Sequence, residues 1–191
     1  MGAEAKLAEL GITVPEVVPP VAAYQPTART GNLVFTASQL PARDGEMIAV
    51  GKVGGDVSAE QAYECARQCA LNALAAVKAE IGSLDSVVRV VKAVVFVAST
   101  PDFTGQPKVA NGASELLGEV FGDAGKHARS AVGVSVLPLD VPVEVEIVVE
   151  VSSGGIAVAN ATDASNRVNI MPNSLGNENA PDWGAAPKKR R

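Results

Sequence analysis

Residues 127–151, HARSAVGVSVLPLDVPVEVEIVVEV, contain two segments in which apolar residues alternate with small or charged ones. A period of two is typical of half-buried strands, and a proline-containing segment separates the two runs. The pattern predicts a strand over 128–136, a turn over 137–140 and a second strand over 143–151. Because the connection is short, we expect the two strands to pair as a hairpin.

Arg129 shares one face of the first predicted strand with Ala131 and Gly133. These small neighbours leave open space beside the guanidinium, which can bind a carboxylate through two parallel hydrogen bonds. The strand therefore predicts a small-anion pocket at Arg129.

The second strand alternates glutamates with apolar residues, and we interpret Glu146 and Glu150 as a solvated strand face. In a hairpin that turns near residue 140, Arg129 pairs near Glu150, and Glu144 pairs near Ser135. Arg129 and Glu144 would then lie about 20 Å apart, at roughly 3.3 Å per residue. If both serve one small substrate, they must come from adjacent copies of the chain.

Upstream of this region, residues 31–40 predict a strand that opens at a Gly-Asn turn and closes at Pro41. Ser58 and Gln61 form a capping-box pattern. Small apolar residues then recur at helical spacing until Gly82, which predicts a long helix with an alanine-rich inner face.

Residues 87–98 are apolar and β-branched at alternating positions on both faces, which predicts a central strand covered on two sides. Thr100, Pro101 and Asp102 resemble a helix cap with proline at the first helical position, and helical spacing continues to Gly122. The predicted class is α+β, with a mixed sheet and two helices on one face. The other sheet face would need to be covered by association.

The net charge of −5 argues against nucleic acid as the main partner, because no basic stripe is present to displace phosphate counterions. Arg89 and Lys92 interrupt the most apolar run, so no membrane span is predicted. The N-terminus lacks the pattern of a signal peptide. We therefore expect a cytoplasmic protein.

Common catalytic motifs, including nucleotide-binding loops, zinc-ligand helices and a nucleophile elbow, do not occur. Cys65 and Cys69 lie four residues apart, which favours core packing on one helix face over redox or zinc chemistry. His127 is the only histidine. We interpret it as a surface turn residue without a positioned serine partner.

Composition changes abruptly after Val151, which separates a tail (152–191) rich in glycine, asparagine and proline from the rest of the chain. The tail has little apolar periodicity, which favours a flexible extension. Trp183 and the apolar residues 170–172 instead favour docking on a partner surface.

Several motifs together resemble the RidA, or YjgF-type, family of reactive-intermediate deaminases. That family has Pro-Ala-Arg-Ser, a strand, Leu-Pro, and then apolar-Glu-apolar-Glu. Here the corresponding segments are HARS (127–130), LP (137–138) and VEVE (143–146). Further matching residues are Tyr24, Gly31, Asn32, Thr36, Gln39, Leu40 and Pro41 near the N-terminus, and Asn111 and Glu115 in the second helix. The match covers roughly residues 13–151, which implies a domain over 13–151 preceded by an N-terminal segment (1–12).

The resemblance implies a chorismate-mutase-like fold, a homotrimer around a central β-barrel, and clefts between neighbouring subunits. It implies that Arg129 binds the substrate carboxylate, that Glu144 positions or helps to activate a water, and that Tyr24 and Asn111 shape the cleft. Where the family often has serine, this chain has Ala37, so that Ser38 is the candidate pocket residue. Where the family often has cysteine, this chain has Ala131.

The function implied is hydrolysis of 2-imino acids or related imines to 2-keto acids and ammonia, without metal or organic cofactor. One alternative is a non-catalytic module that binds small carboxylates. Another is that residues 152–191 target the trimer to a larger complex, such as a protein-shelled compartment.

Overall fold

The computed structural model describes residues 2–17 and 24–153. The tail predicted at 152–191 lies outside these residues from position 154 onward. In chain order the helices are α1 (Ala3–Glu9), α2 (Ala59–Ile81) and α3 (Gln106–Phe121). The strands are β1 (Thr27–Thr30), β2 (Leu33–Thr36), β3 (Ala42–Arg43), β4 (Glu46–Met47), β5 (Val87–Ala98), β6 (Ala128–Val134) and β7 (Val143–Val151).

Five strands form one mixed sheet in the order β1-β2-β7-β5-β6. Only β5 and β6 are parallel; the other neighbouring pairs are antiparallel. β7 is therefore the middle strand, although it is the last in the chain. β3 and β4 form a separate small hairpin.

The predicted hairpin of the last two strands is wrong. β6 and β7 both pair with β5, which lies between them. β5 is mostly apolar and pairs along both of its edges, so it lies between the two strands that were expected to pair with each other. The connecting segment crosses the end of β5, where the NH of Ala98 donates to the carbonyl of Pro142 (2.9 Å).

The predicted Gly-Asn turn is confirmed, because Gly31 and Asn32 form the two-residue turn between β1 and β2. The strand that follows ends at Thr36 and is therefore shorter than the predicted run to residue 40. Gly31 has a φ of +55°, which suits glycine at the first position of such a turn. The turn at Arg43 to Gly45 is confirmed as the connection of the small hairpin, with Asp44 at a φ of +53°.

α2 confirms the capping-box prediction. The NH of Gln61 donates to the Ser58 hydroxyl, and the NH of Ser58 donates to the Gln61 side chain. The helix ends at Gly82, which has a φ of +84°. Cys65 and Cys69 are buried on its inner face, as the packing interpretation predicted.

α3 begins later than predicted. Pro101 and Asp102 lie in a turn, and the helix starts at Gln106 with Pro107 in its first turn. The proline in the first turn of α3 is therefore Pro107 and not Pro101. α3 packs closely on α2, because a Cβ placed on Gly112 would overlap the Tyr63 carbonyl.

Helices α2 and α3 cover one face of the sheet, and the α+β prediction is confirmed. Ala93, Val95 and Val97 of β5 are fully buried on that face. On the opposite face Phe35 and Val132 are 40% and 43% exposed. The trimer and its barrel stay predictions.

α1 contributes Ala3 and Leu7 to the same core, and Glu4 accepts a hydrogen bond from the NH of Leu84 (3.1 Å). The boundary predicted at residue 13 stays a prediction. Within residues 2–17 and 24–153, no helix combines the length and apolar character needed to span a bilayer.

Candidate active site

A cleft of about 640 Å³ opens beside β1 and β2. It brings together three of the residues predicted from the sequence, Tyr24, Ser38 and Glu144. Tyr24 is 52% exposed at its mouth, whereas Glu144 is only 7% exposed. Its other lining residues include Phe35, Ala37 and Pro138.

Glu144 is held by Ser38, whose hydroxyl donates to Oε2 at 2.6 Å. Ser38 is positioned by the backbone, since Gln39 and Val145 exchange two hydrogen bonds across the strand ends (2.8 and 3.2 Å). Within the described residues, Glu144 Oε1 has no hydrogen-bond partner, yet it is not sealed from solvent. It is free to accept a hydrogen bond from a molecule in the cleft.

Arg129 belongs to a second group of polar residues, next to α3. Its Nη1 donates to Asn111 Oδ1 at 2.8 Å and to Ser114 Oγ at 3.1 Å. These bonds use both hydrogens of Nη1. Nε and Nη2 have no partner in the described part of the chain and are open to solvent. They form the edge of the guanidinium that binds a carboxylate with two parallel hydrogen bonds.

His127 extends this second group, and its interpretation as an unpartnered surface residue is wrong. Its Nε2 lies 3.0 Å from Ser114 Oγ, and its Nδ1 lies 2.6 Å from the Gly125 carbonyl oxygen. The ring is half-buried. The serine partner comes from α3, thirteen positions earlier in the chain, so local sequence around His127 did not reveal it.

The two groups lie on opposite faces of the sheet. Arg129 is in register with Ala93 of β5, on the face under the helices, and Glu144 is in register with Phe96, on the open face. The hairpin estimate of their separation used the wrong pairing. The observed pairing nevertheless leads to the same conclusion, because the two side chains project from opposite faces of the sheet and cannot meet within one chain.

The two departures from the family pattern fall one in each group. Ala37 lines the cleft of Glu144. Ala131 lies on the same strand face as Arg129 and is half-buried. Among residues 2–17 and 24–153, no three histidine, cysteine or acidic side chains cluster in a way that could hold a metal ion.

Residues 4–151 match the family model described as "YjgF/chorismate_mutase-like, putative endoribonuclease". Protein TCP17 of Trypanosoma cruzi is 41% identical over 150 residues, which cover 78% of this chain and 94% of TCP17.

Two crystal structures share the fold. Protein Atu1372 of Agrobacterium tumefaciens, of unknown function, is 43% identical with a TM-score of 0.74, over 78% of this chain and 92% of that one. "A putative endoribonuclease" from Shewanella oneidensis MR-1 is 29% identical with a TM-score of 0.77, over 79% of this chain and 100% of that one.

Proposed function

Because the chain belongs to the YjgF/RidA family, we propose that it hydrolyses reactive 2-imino acids, or related imines, to 2-keto acids and ammonia. The observation that carries the proposal is the open Nε–Nη2 edge of Arg129, which fits a substrate carboxylate. The buried carboxylate of Glu144, with one oxygen free, suits a water-binding role.

The complete site would form between two copies of the chain. One copy supplies Tyr24, Ser38 and Glu144, and its neighbour supplies Asn111 and Arg129. Two features support this arrangement: the opposite orientations of Arg129 and Glu144, and the exposed apolar residues on the open sheet face, which association would bury. A homotrimer with a central barrel provides three such sites.

In the proposed reaction, Arg129 binds the carboxylate and orients the adjacent C=N bond. A water bound to Glu144 Oε1 attacks the imine carbon and gives one proton to Glu144, while the π electrons move to nitrogen, which takes that proton from Glu144. The carbinolamine hydroxyl then gives its proton to Glu144, the C–N bond breaks, and Glu144 passes the proton to the nitrogen, which leaves as ammonia. Ser38 keeps the carboxylate in position.

The test uses imines generated in situ by an amino-acid oxidase, with imine loss, keto acid and ammonia all measured. We expect Arg129→Ala to lose at least about 100-fold in kcat/KM, since both carboxylate hydrogen bonds disappear. Arg67→Ala removes the same charge from a surface ion pair with Glu119 and should retain wild-type turnover. Unchanged imine turnover in Arg129→Ala would refute the role of this residue.

A mixing experiment tests the shared site. Arg129→Ala and Glu144→Gln should each be inactive alone, but trimers assembled at random from an equal mixture should have intact sites at about one quarter of all interfaces, because each residue comes from a different copy. Activity should therefore reappear after the two variants are unfolded and refolded together. No recovery in trimers shown to be mixed would contradict a site formed between copies.

The assays also separate the alternatives. A non-catalytic binding module would bind 2-keto acids without releasing ammonia from any imine. An assembly role for residues 152–191 predicts that their removal leaves turnover intact but abolishes partner recovery. The net charge of −5 disfavours RNA cleavage as the main activity.

A further inference from the structure

Arg129, Ser114 and His127 form a chain of hydrogen bonds that ends on the backbone carbonyl of Gly125. A carbonyl oxygen can only accept, so His127 Nδ1 carries the hydrogen. In the neutral ring Nε2 is then an acceptor, and the Ser114 hydroxyl must donate to it. This leaves the lone pairs of Ser114 Oγ to accept from Arg129. Every donor in the chain thus has one acceptor.

We propose that His127 is a positioning residue, which acts through Ser114 to hold the guanidinium of Arg129 with its Nε–Nη2 edge toward the ligand. The proposal rests on the proposed function for the identity of that ligand as a carboxylate. Without the imidazole, the Ser114 hydroxyl can rotate and donate elsewhere. Nη1 would then have only Asn111 as a dependable partner, and the guanidinium could turn about its side-chain bonds.

The end of the chain of hydrogen bonds is rigid. Gly125 is buried, and a Cβ at this position would overlap the Leu117 carbonyl of α3, so the short helical turn at Gly122–Gly125 packs directly on that helix. Asn111 and Ser114 lie three residues apart on α3 and therefore face the same way. Backbone packing thus fixes the Gly125 carbonyl, which accepts from His127, and also Asn111 and Ser114, which accept from Nη1 of Arg129.

Lys126 and Asp123, which are charged residues close to His127 in the chain, do not take part in these hydrogen bonds. Lys126 pairs with Asp123 at 2.7 Å, and both side chains are almost fully exposed. Lys126→Ala is therefore a suitable control, since it changes charge next to the histidine without changing the chain of hydrogen bonds.

The first test is nuclear magnetic resonance of the full-length protein labelled with ¹⁵N-histidine, without an affinity tag. His127 is the only histidine, so its two ring nitrogens need no further assignment. In the neutral ring, recorded in the pH range where the two ¹⁵N shifts no longer change with rising pH, we expect the Nδ1–H tautomer, which is the minor form of free histidine. A ring protonated on Nε2 alone would overturn the proposal.

The second test compares His127→Phe, His127→Gln, Ser114→Ala and the double variant His127→Phe/Ser114→Ala. We expect His127→Phe to weaken binding of 2-oxobutanoate, and to raise KM for the matching imine, by about 5- to 10-fold, the usual effect of one hydrogen bond. kcat should change less, because carboxylate binding contributes equally to ground and transition states. His127→Gln supplies an oxygen near the position of Nε2 and should restore most of the affinity.

The double variant distinguishes positioning from general damage. If His127 acts through Ser114, the double variant should bind 2-oxobutanoate as Ser114→Ala does, whereas additive losses would contradict the proposal. Thermal unfolding verifies that each variant is folded. If wild-type protein binds 2-oxobutanoate but hydrolyses no imine, the proposed reaction fails while the positioning role is still measured by affinity. If wild-type protein neither binds 2-oxobutanoate nor hydrolyses an imine, the proposal is tested by the tautomer of His127 and by the ¹⁵Nε signal of Arg129, which Arg129→Lys identifies. An unchanged Arg129 signal in His127→Phe would then overturn the proposal.

Discussion

The two faces of the sheet are built in different ways. The face under the helices is filled by buried β-branched side chains such as Val95 and Val145, and the helix layer above it is tight, since a Cβ on Gly112 of α3 would overlap the Tyr63 carbonyl of α2. The opposite face presents large apolar side chains to solvent, including Phe35 and Val132. The first face is covered by helices whose close approach leaves no room for a side chain at Gly112, whereas the second displays side-chain atoms that a single chain does not bury.

This difference separates two requirements of the candidate site. The covered face fixes Arg129 within one chain, through Asn111 and Ser114 of α3. The open face carries Glu144 and, under the proposed function, brings it to another copy. Folding and association can therefore be disturbed independently.

The largest effect should come from Gly112→Ala, which breaks the covered face. The added methyl overlaps the Tyr63 carbonyl, and backbone atoms cannot move aside as a flexible side chain could. We expect the free energy of unfolding to fall by about 3 kcal/mol, measured by denaturant titration.

Gly118→Ala is the matched control on the same helix. No heavy atom lies within 4 Å of a Cβ at this position, so the substitution should stabilise the protein by up to about 1 kcal/mol through higher helix propensity. Equal destabilisation by both substitutions would show that close helix approach is not the cause.

The next effect should come from Val132→Asp, which breaks the open face. A carboxylate on a surface that association buries is costly, so we expect monomers in size-exclusion chromatography with light scattering, and loss of the shared site. The fold of each monomer should persist. Leu10→Asp, at a residue 38% exposed next to α1, should leave the assembly unchanged. A Val132→Asp protein with wild-type mass would contradict association through this face.

The smallest effect concerns the rim of the covered face, where the Tyr63 hydroxyl donates to Glu115 at 2.6 Å. This hydrogen bond raises the pKa of Tyr63 to about 12. Because the pKa is raised on folding, the associated stabilisation is complete below about pH 10 and is lost as pH rises through 12. Ultraviolet titration of tyrosinate, with Tyr63→Phe for assignment, measures the pKa. Glu115→Gln should bring it back toward 10, and an unchanged value would exclude the hydrogen bond as the cause.

Local signals in the sequence predicted local structure well. The Ser58–Gln61 capping box and Gly82 defined both ends of α2, because capping depends on neighbouring residues. The β-branched run at 87–98 predicted β5 with its bounds. Pairing was harder. β6 and β7 have the alternation of hairpin strands, but alternation does not determine which strand each one pairs with. In the structure both pair with β5, one on each of its edges.

The site was predictable only in part. The resemblance identified Tyr24, Ser38, Asn111, Arg129 and Glu144, and their catalytic roles stay proposals. Ser114 and His127 were missed, although two signals were available. Ser114 follows Asn111 by three residues on a helix, and His127 precedes Arg129 by two residues, so each pair shares a face. The contact between the pairs is tertiary, and no local pattern encodes it.

The central place of β7 also affects how the protein is made. During synthesis the β1–β2 hairpin emerges first and β5 with β6 later, yet the strand that joins them is the last of the sheet to leave the ribosome. Until Val143–Val151 is available, β2 and β5 each keep an unpaired edge that can recruit other nascent chains. The five-stranded sheet therefore cannot form before the last strand is synthesised. A stalled ribosome would hold two pairs of strands with exposed, aggregation-prone edges and no partly functional domain.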